Sequence, residues 1–154
     1  MSKAIIFLYS YHHRNTQKIG NAIAAKMNAA VVDISNNAEA VALENYDLVG
    51  FGSGIDSGKH YSKMFKYVEN LPNVQNKKAF IFSTSGIYIY RKMLSDHKAL
   101  RNLLQNKGFV IAGEFACKGY NTNSFLKYLG GMNKGRPNDK DIKNAEAFAE
   151  KLIK

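Results

Sequence analysis

Residues 10–16 could bind an anion, because seven consecutive side chains there carry hydroxyl, imidazole, guanidinium or amide groups. These residues are Ser10, Tyr11, His12, His13, Arg14, Asn15 and Thr16. An almost continuous apolar run precedes them at residues 3–9, and apolar residues spaced by four, Ile19, Ile23 and Met27, follow them. This pattern is typical of a buried parallel strand that runs into an amphipathic helix.

The start of such a helix is a favourable place for a phosphate. Its first turn presents unpaired N–H groups and the positive end of the helix dipole, which stabilise an anion by roughly 0.3–1 kcal/mol, and by up to ~2 kcal/mol in a partly buried place. An ordinary N-cap at Asn15 or Thr16 would need one polar side chain, whereas the loop supplies seven. The sequence therefore predicts a phosphate-binding loop at residues 10–16.

The rest of the chain alternates between strand-like and helix-like patterns. Strands are predicted at residues 3–9, 29–34, 46–52, 78–84 and 109–117. A short helix is predicted at residues 38–44, and a last helix is predicted from Asn138, which can form a capping box with Asp141. The apolar stripes of the later helices are Tyr61, Met64, Phe65 and Val68, then Leu94, Leu100, Leu103 and Leu104, and finally Ile142, Ala145, Phe148, Ala149 and Leu152.

This alternation predicts a single α/β domain over residues 1–154. Five strands joined by helices favour a doubly wound, five-stranded parallel sheet in the order 2-1-3-4-5, enclosed by helices in a three-layer sandwich. In that architecture ligands bind beyond the carboxyl ends of the strands, where the winding reverses. The loops after strands 1, 3 and 4 are therefore expected to form one site.

The loops at residues 52–60 and 83–91 supply glycine, hydroxyl groups and apolar or aromatic side chains. Glycine allows the backbone to approach a flat ligand closely, and apolar groups can cover the faces of that ligand. Together with the predicted phosphate loop, these groups favour a phosphorylated planar heterocycle. The candidate residues are Ser53, Gly54, Ile55, Ser83, Thr84, Ser85, Gly86 and Tyr88.

Composition and missing motifs argue against several other classes of protein. The chain is 45% hydrophobic, with no apolar run of ~20 residues and no signal-peptide pattern, so a cytoplasmic domain is expected. Cys117 has no second cysteine to pair with, and its apolar neighbours predict a buried strand thiol. The motifs of P-loop enzymes and α/β-hydrolases are missing. His12 and His13 are adjacent and diverge, so no metal site is predicted.

At residues 9–16 the chain resembles the flavodoxin family, whose first loop has the pattern aromatic-x-[Ser/Thr]-x-Thr-Gly-Asn-Thr and holds the phosphate of FMN. Asn15 and Thr16 match this pattern, whereas Tyr11, His13 and Arg14 stand where it has Ser/Thr, Thr and Gly. The resemblance implies that FMN is the cofactor. It also implies that the loops at residues 52–60 and 83–91 enclose the isoalloxazine ring.

The chain departs from the common flavodoxin pattern around that ring as well. It contains no tryptophan, which often covers the flavin in that family, so Ile55 and Tyr88 or Tyr90 are the expected substitutes. The Ser-Tyr-His-His-x-Asn-Thr loop, together with residues 117–119 and 134–138, looks like a less characterised subgroup of the family.

The net charge of +10 also differs from that of electron-carrying flavodoxins, which are usually acidic. Many of the basic residues are expected near the ligand edge: Arg14, Lys59, Lys63, Arg91, Lys92, Lys118, Lys127, Lys134 and Arg136. They would steer an acidic redox partner or an anionic substrate to the flavin. The other interpretation is a solvated surface that keeps the protein soluble. Nucleic acid is not expected as a partner, because no binding motif accompanies the charge.

Residues 118–137 separate the fifth predicted strand from the last helix by about twenty residues, and loops of that length are uncommon in compact domains unless they have a function. Because this segment leaves the sheet at the ligand end, it is a candidate for substrate or partner contact. In the alternative interpretation its apolar members only cover the edge of the sheet. The contact candidates are Tyr120, Phe125, Lys127, Lys134 and Arg136.

These features favour an FMN-binding electron carrier that serves an acidic partner protein. An alternative is a flavin-dependent oxidoreductase that uses NAD(P)H, a quinone or a porphyrinogen and binds an anionic substrate at its basic rim. A third is a binding module that has lost the flavin. In the first two cases the flavin performs the chemistry, so no side chain is predicted as a catalytic acid or base.

Overall fold

The computed structural model describes residues 3–10, 14–36, 39–120 and 133–154. In chain order its elements are β1 (Ala4–Tyr9), α1 (Asn15–Met27), β2 (Ala30–Asp33), a 3-10 turn (Leu43–Asn45), β3 (Leu48–Asp56), β4 (Lys59–His60), α2 (Ser62–Glu69), β5 (Lys77–Ser85), α3 (Tyr90–Asn106), β6 (Phe109–Lys118) and α4 (Asp139–Ile153). No helix within the described ranges is both long enough and apolar enough to cross a membrane.

Five parallel strands form one sheet in the order β2-β1-β3-β5-β6. This confirms the predicted order 2-1-3-4-5, because β4 is a two-residue strand that pairs antiparallel with the end of β3. Alternate residues of β1 face opposite sides of the sheet: Ile6 shares a core with α1 and α4, and Phe7 shares one with α2 and α3. The sheet therefore lies between two layers of helices, and the carboxyl ends of its strands meet at one edge.

The prediction of a loop from residue 52 onward was wrong, because β3 continues to Asp56 and turns back into β4. Glycine at positions 50 and 52 is explained by the neighbouring strand. A Cβ atom on Gly52 would lie 2.1 Å from the ring of Phe82, so the strand needs glycine there to accept the phenyl ring. The hairpin turns at Ser57 and Gly58, which both have positive φ angles, of 53° and 79°.

Two further sequence predictions need correction. Within residues 39–44 the backbone forms only the start of the short 3-10 turn, whereas a helix was predicted, and position 38 lies outside the described residues. Leu94 was assigned to the buried stripe of α3 but is 36% exposed. The buried positions of α3 are Met93, Asp96, His97, Leu100 and Leu104. A polar pair therefore occupies core-facing positions of this helix.

The ends of the later elements agree with the sequence predictions. Asn138 caps α4, and its side chain and that of Asp141 form the predicted capping box.

Cys117 is buried, and burial raises the pKa of its thiol to about 12. The prediction of a buried strand thiol is therefore confirmed.

Candidate functional site

The helix α1 begins beside the predicted phosphate loop. Its N-cap residue, Arg14, has left-handed backbone angles (φ 53°, ψ 32°), its side chain makes no capping hydrogen bond, and the first turn contains no acidic residue. The N–H group of Gln17 donates to Ser10 Oγ at 3.3 Å. The positive end of the helix thus faces the end of β1. Tyr11, His12 and His13, which were predicted to line this place, lie outside the described residues.

Two buried hydroxyl groups lie next to this helix end. The Oγ1 atoms of Thr16 and Thr84 are 2.9 Å apart, and both residues are less than 5% exposed. Only one of the two O–H groups can donate in this pair, so the other keeps its hydrogen for a further acceptor. The structure thus brings together a residue of the first predicted loop and a residue of the third.

Asn15 connects the same place to the end of β6. Its Nδ2 atom donates to the carbonyl oxygen of Tyr120 at 2.8 Å, whereas its buried Oδ1 atom has no partner among the described residues. Gly119 must be glycine for this contact, since a Cβ atom there would lie 2.6 Å from Asn15 Nδ2. We call Asn15, Thr16, Thr84 and Gly119 the threonine corner.

The loop after β5 joins the threonine corner to an exposed apolar surface. Gly119 N donates to Ser85 O at 2.9 Å, and Asn133 Nδ2 donates to Gly86 O at 2.6 Å. Ser85 Oγ donates to the carbonyl oxygen of Ile87 at 2.7 Å, which closes the turn. The four residues that follow Gly86 are apolar or aromatic and 40–63% exposed: Ile87, Tyr88, Ile89 and Tyr90. Such a surface is suited to a flat ligand or to a partner protein.

We call the loop after β5 one wall of the candidate site and the hairpin of β3 and β4 the opposite wall. Gly54 lies close to Tyr61, because a Cβ atom at residue 54 would be 2.8 Å from the tyrosine ring. Tyr61 in turn packs edge-on against Tyr9, with 5.7 Å between the ring centroids. Ile55 is half-buried and pairs with His60 across the hairpin.

Ser53 and Ser83 were predicted as ligand contacts, but their hydroxyl groups are bonded to two buried histidines. Ser53 Oγ is 2.8 Å from His60 Nδ1, and Ser83 Oγ is 2.7 Å from His97 Nε2. The two imidazole rings lie 4.9 Å apart. Glu114 Oε1 accepts from His97 Nδ1 at 3.0 Å. We call these five residues the histidine cluster.

Sequence reasoning missed the histidine cluster, although one signal for it was available. Residue 97 has the same helical spacing as Met93, Leu100 and Leu104, so it falls on the buried stripe of α3. A histidine at such a position needs polar partners, and Ser83 and Glu114 provide them.

Electrostatics differ between the members of the histidine cluster. Burial, and next the neighbouring His97, lower the pKa of His60 well below its ordinary value. Burial tends to raise the pKa of Glu114, but hydrogen bonds from His97 and Arg101 outweigh it and lower that pKa to about 2. The cluster therefore contains a neutral His60 and an ionised Glu114 at neutral pH.

Two of the predicted rim cations have acidic partners within the chain. Arg136 donates two hydrogen bonds of 2.6 Å to Asp141, and Lys92 lies 2.5 Å from Asp96. Arg14, Lys59 and Arg91 are exposed, and Lys127 lies outside the described residues. The positive field at this edge therefore comes from fewer residues than the sequence suggested.

A cavity of about 770 Å³ lies between α2 and the chain that follows β2. Its walls include Tyr9, Tyr67 and Leu71, and the side chains of Lys63 and Lys66 line it as well. Burial raises the pKa of Tyr67 to about 12, so its phenol remains a hydrogen-bond donor at neutral pH.

Comparison with known proteins agrees with this fold. Residues 6–151 match the family described as Flavodoxin domain. The chain belongs to the flavodoxin family. The uncharacterized protein MJ0298 of Methanocaldococcus jannaschii is 48% identical to this flavodoxin-family chain over 152 residues, which cover 99% of both chains.

Two solved structures show how far the flavodoxin likeness extends. Oxidised Flavodoxin 1 from Bacillus cereus has a TM-score of 0.70 at 18% identity, with 97% of each chain covered. A flavoprotein from Lactobacillus acidophilus in complex with FMN has a TM-score of 0.62 at 15% identity, with 75% of this chain and 93% of that chain covered. At these identities the structures show the flavodoxin fold.

Proposed function

We propose that this protein binds FMN and carries electrons through it to an acidic partner protein. The observation that carries this proposal is the threonine corner, where the start of α1 lies beside two buried hydroxyl groups. Membership of the flavodoxin family and the FMN complex of the Lactobacillus acidophilus protein support the choice of cofactor.

The residues of the threonine corner fit the phosphate end of FMN. The helix end attracts the dianion, and the free O–H of the Thr16–Thr84 pair can donate to a phosphate oxygen. The Oδ1 atom of Asn15, which has no partner among the described residues, is an acceptor, which suits a hydroxyl group and not a phosphate oxygen. The ribityl chain of FMN supplies hydroxyl groups, so Asn15 favours FMN over a bare phosphate.

The hairpin of β3 and β4 and the loop after β5 fit the isoalloxazine ring of FMN. Ile55 on the hairpin and the exposed aromatic residues Tyr88 and Tyr90 after β5 provide apolar groups near the same sheet edge. When bound, FMN supplies the electron-transfer chemistry. The chain binds the phosphate, positions the ring between the walls and excludes water from its faces.

Affinities for FMN and riboflavin test this proposal, because the two flavins differ only in the phosphate. We expect the native protein to prefer FMN strongly. Replacing Thr16 with Val removes one hydroxyl at nearly constant volume and should weaken FMN by roughly 10- to 100-fold, the range for a hydrogen bond to a charged group. Ser62→Ala, which removes an exposed hydroxyl at the start of α2, is the control. Equal affinities for the two flavins in the native protein would contradict the proposal.

An acidic partner is proposed because exposed cations and an exposed apolar surface lie at the same edge. Arg91 follows directly on the apolar residues 87–90, and Lys59 is exposed on the facing hairpin. Such a surface would speed association with an acidic protein at low ionic strength, since charges are screened beyond about 10 Å at 0.1 M salt. The rate of electron transfer to the partner should therefore fall steeply with added salt. A rate that is independent of salt would assign these charges to solubility.

The cavity lined by Lys63, Lys66 and Tyr67 favours a second candidate function, an oxidoreductase that acts on an anionic substrate. Tyr9 connects the two places, because its ring lines the cavity and packs against Tyr61 of the opposite wall. Steady oxidation of NAD(P)H by the purified, FMN-loaded protein, with a quinone or a porphyrinogen as acceptor, would identify the enzyme. Its absence, with fast transfer to an acidic redox protein, would identify the carrier.

A further inference from the structure

Two serines of the histidine cluster directly precede residues of the proposed flavin site in β3 and β5. His60 and His97 are 1% and 0% exposed. Ser83, which contacts His97, precedes Thr84 of the threonine corner, and Ser53, which contacts His60, precedes Gly54 of the opposite wall. Two residues of the cluster are therefore direct chain neighbours of residues in the proposed site.

The hydrogen bonds of His97 determine which of its ring nitrogens carries a hydrogen. Arg101 donates to both oxygens of Glu114, at 2.9 and 2.8 Å, and this pair keeps the carboxylate ionised. The carboxylate can only accept, so His97 Nδ1 must carry a hydrogen. Its Nε2 atom faces the hydroxyl of Ser83, which can donate to a neutral imidazole or accept from a protonated one. The same atomic positions thus satisfy both protonation states of His97.

His60 cannot share this role. The hydroxyl of Ser53 donates to the carbonyl oxygen of Gly54 at 2.8 Å, so Nδ1 of His60 donates to Ser53. Its Nε2 atom is a buried lone pair without a partner in the described part of the chain. A proton on His60 would also lie beside a proton on His97. The pair therefore holds at most one additional proton, on His97.

The charged groups around His97 nearly cancel. On α3, Asp96 is paired with Lys92, and Arg101 reaches across to neutralise Glu114 of β6. Lys59 of β4 and Asp56 of β3 are both exposed and adjacent in the hairpin. The core that α2 and α3 share is apolar, and the lysines of α2 are exposed. A proton on His97 is therefore a net charge in a buried, neutral place, and a nearby negative charge would stabilise it.

We propose that His97, with Ser83 and Glu114, takes up a proton from solvent when an electron is added to the flavin at the ends of β3 and β5. The inference rests on the proposed binding of FMN. The electron comes from the reductant, the proton adds to the lone pair of His97 Nε2, and the hydroxyl of Ser83 turns from donor to acceptor. Reoxidation releases the same proton. His97 is then a positioning and proton-holding residue whose charge compensates that of the reduced flavin.

Proton uptake measured with a pH-indicator dye during photoreduction of the FMN-loaded protein, with EDTA as the electron donor, tests this inference. His97→Gln, which cannot hold the additional proton, should take up about one proton fewer per FMN reduced than the native protein. His60→Gln, the matched control, should take up as many protons as the native protein. Glu114→Gln keeps a hydrogen-bond acceptor but loses the negative charge beside His97, so it should take up fewer protons than the native protein at the same pH.

Nitrogen NMR of the native protein supplies a readout that needs no variant. The Nε2 resonance of His97 should change from a lone-pair to an N–H position on reduction, while both nitrogens of His60 stay unchanged. An unchanged His97 resonance, or equal proton uptake by the native protein and His97→Gln, would overturn the inference and leave FMN binding intact. A protein that binds no FMN would overturn the proposed function, and the inference with it.

Discussion

The threonine corner and the histidine cluster lie next to each other but are built differently. The corner brings Thr16 next to Thr84, which is 68 positions away in the chain, and the Oδ1 atom of Asn15 has no partner among the described residues. The cluster draws its side chains from five elements, β3, β4, β5, α3 and β6, and hydrogen bonds pair most of their polar atoms. This difference is why we propose the corner as the ligand site and expect the cluster to contribute to the stability of the folded core.

Among the variants that separate the two regions, Asn15→Asp is expected to have the largest effect, which is on FMN affinity. The carboxylate cannot donate to Tyr120 O, and it would place a negative charge beside the phosphate, so FMN affinity should fall by roughly 100-fold or more. An acidic residue in the first turn of a helix is favourable, so folding should persist. Isothermal titration with FMN measures the first effect and urea unfolding the second.

Asn138→Asp is the matched control for that variant, because it introduces the same charge at the N-cap of α4. It should leave FMN affinity unchanged. If both variants bound FMN as the native protein does, the threonine corner would not be the phosphate site.

In the histidine cluster the expected effect is on stability. Glu114→Ala leaves the N–H of His97 without its acceptor and removes the carboxylate partner of Arg101, which still donates to Leu94 O, so the free energy of unfolding should fall by about 2–3 kcal/mol. Glu150→Ala removes an exposed ion pair with Lys26 and should cost much less, because water and salt screen that pair. Urea unfolding of both variants decides, and equal losses would mean that the cluster contributes no more than a surface pair.

The two regions also show what a sequence can predict. The order of the five parallel strands and the start of α1 followed from apolar runs and spacing, because a buried strand or helix must repeat its apolar residues. Asn15, Thr16 and Thr84 could be named because ligands bind at the carboxyl ends of parallel strands. His60 and His97 were not named, because their hydrogen bonds to Ser53, Ser83 and Glu114 depend on how the hairpin, α3 and β6 pack in the folded chain. The extension of β3 was missed because Gly52 makes room for Phe82, a role that is invisible in the strand itself.

The pH dependence of stability tests whether the buried His60 is neutral in the folded protein. Its folded pKa lies well below the unfolded value, so the unfolded chain binds more protons as the pH falls below ~6.5. Stability should therefore fall as the pH is lowered from about 6.5, by up to ~1.4 kcal/mol per pH unit from this residue. His60→Gln should flatten that part of the profile. Glu114 has a folded pKa of about 2, so it contributes a separate loss of stability between roughly pH 4.5 and 2.

The smallest expected effect concerns the exposed cations at the edge of the site. Lys59 and Arg91 are both exposed, so water and salt screen them, and each should interact with the reduced flavin by about 1 kcal/mol or less. Since ~1.4 kcal/mol corresponds to about 59 mV for one electron, replacing either residue with Glu should lower the reduction potential of bound FMN by some tens of millivolts. The shift should shrink at high salt, whereas the effect of the buried His97 should persist. Redox titrations at low and high salt measure both, and a potential that ignores Lys59→Glu and Arg91→Glu alike would place the flavin ring away from the hairpin and from the loop after β5.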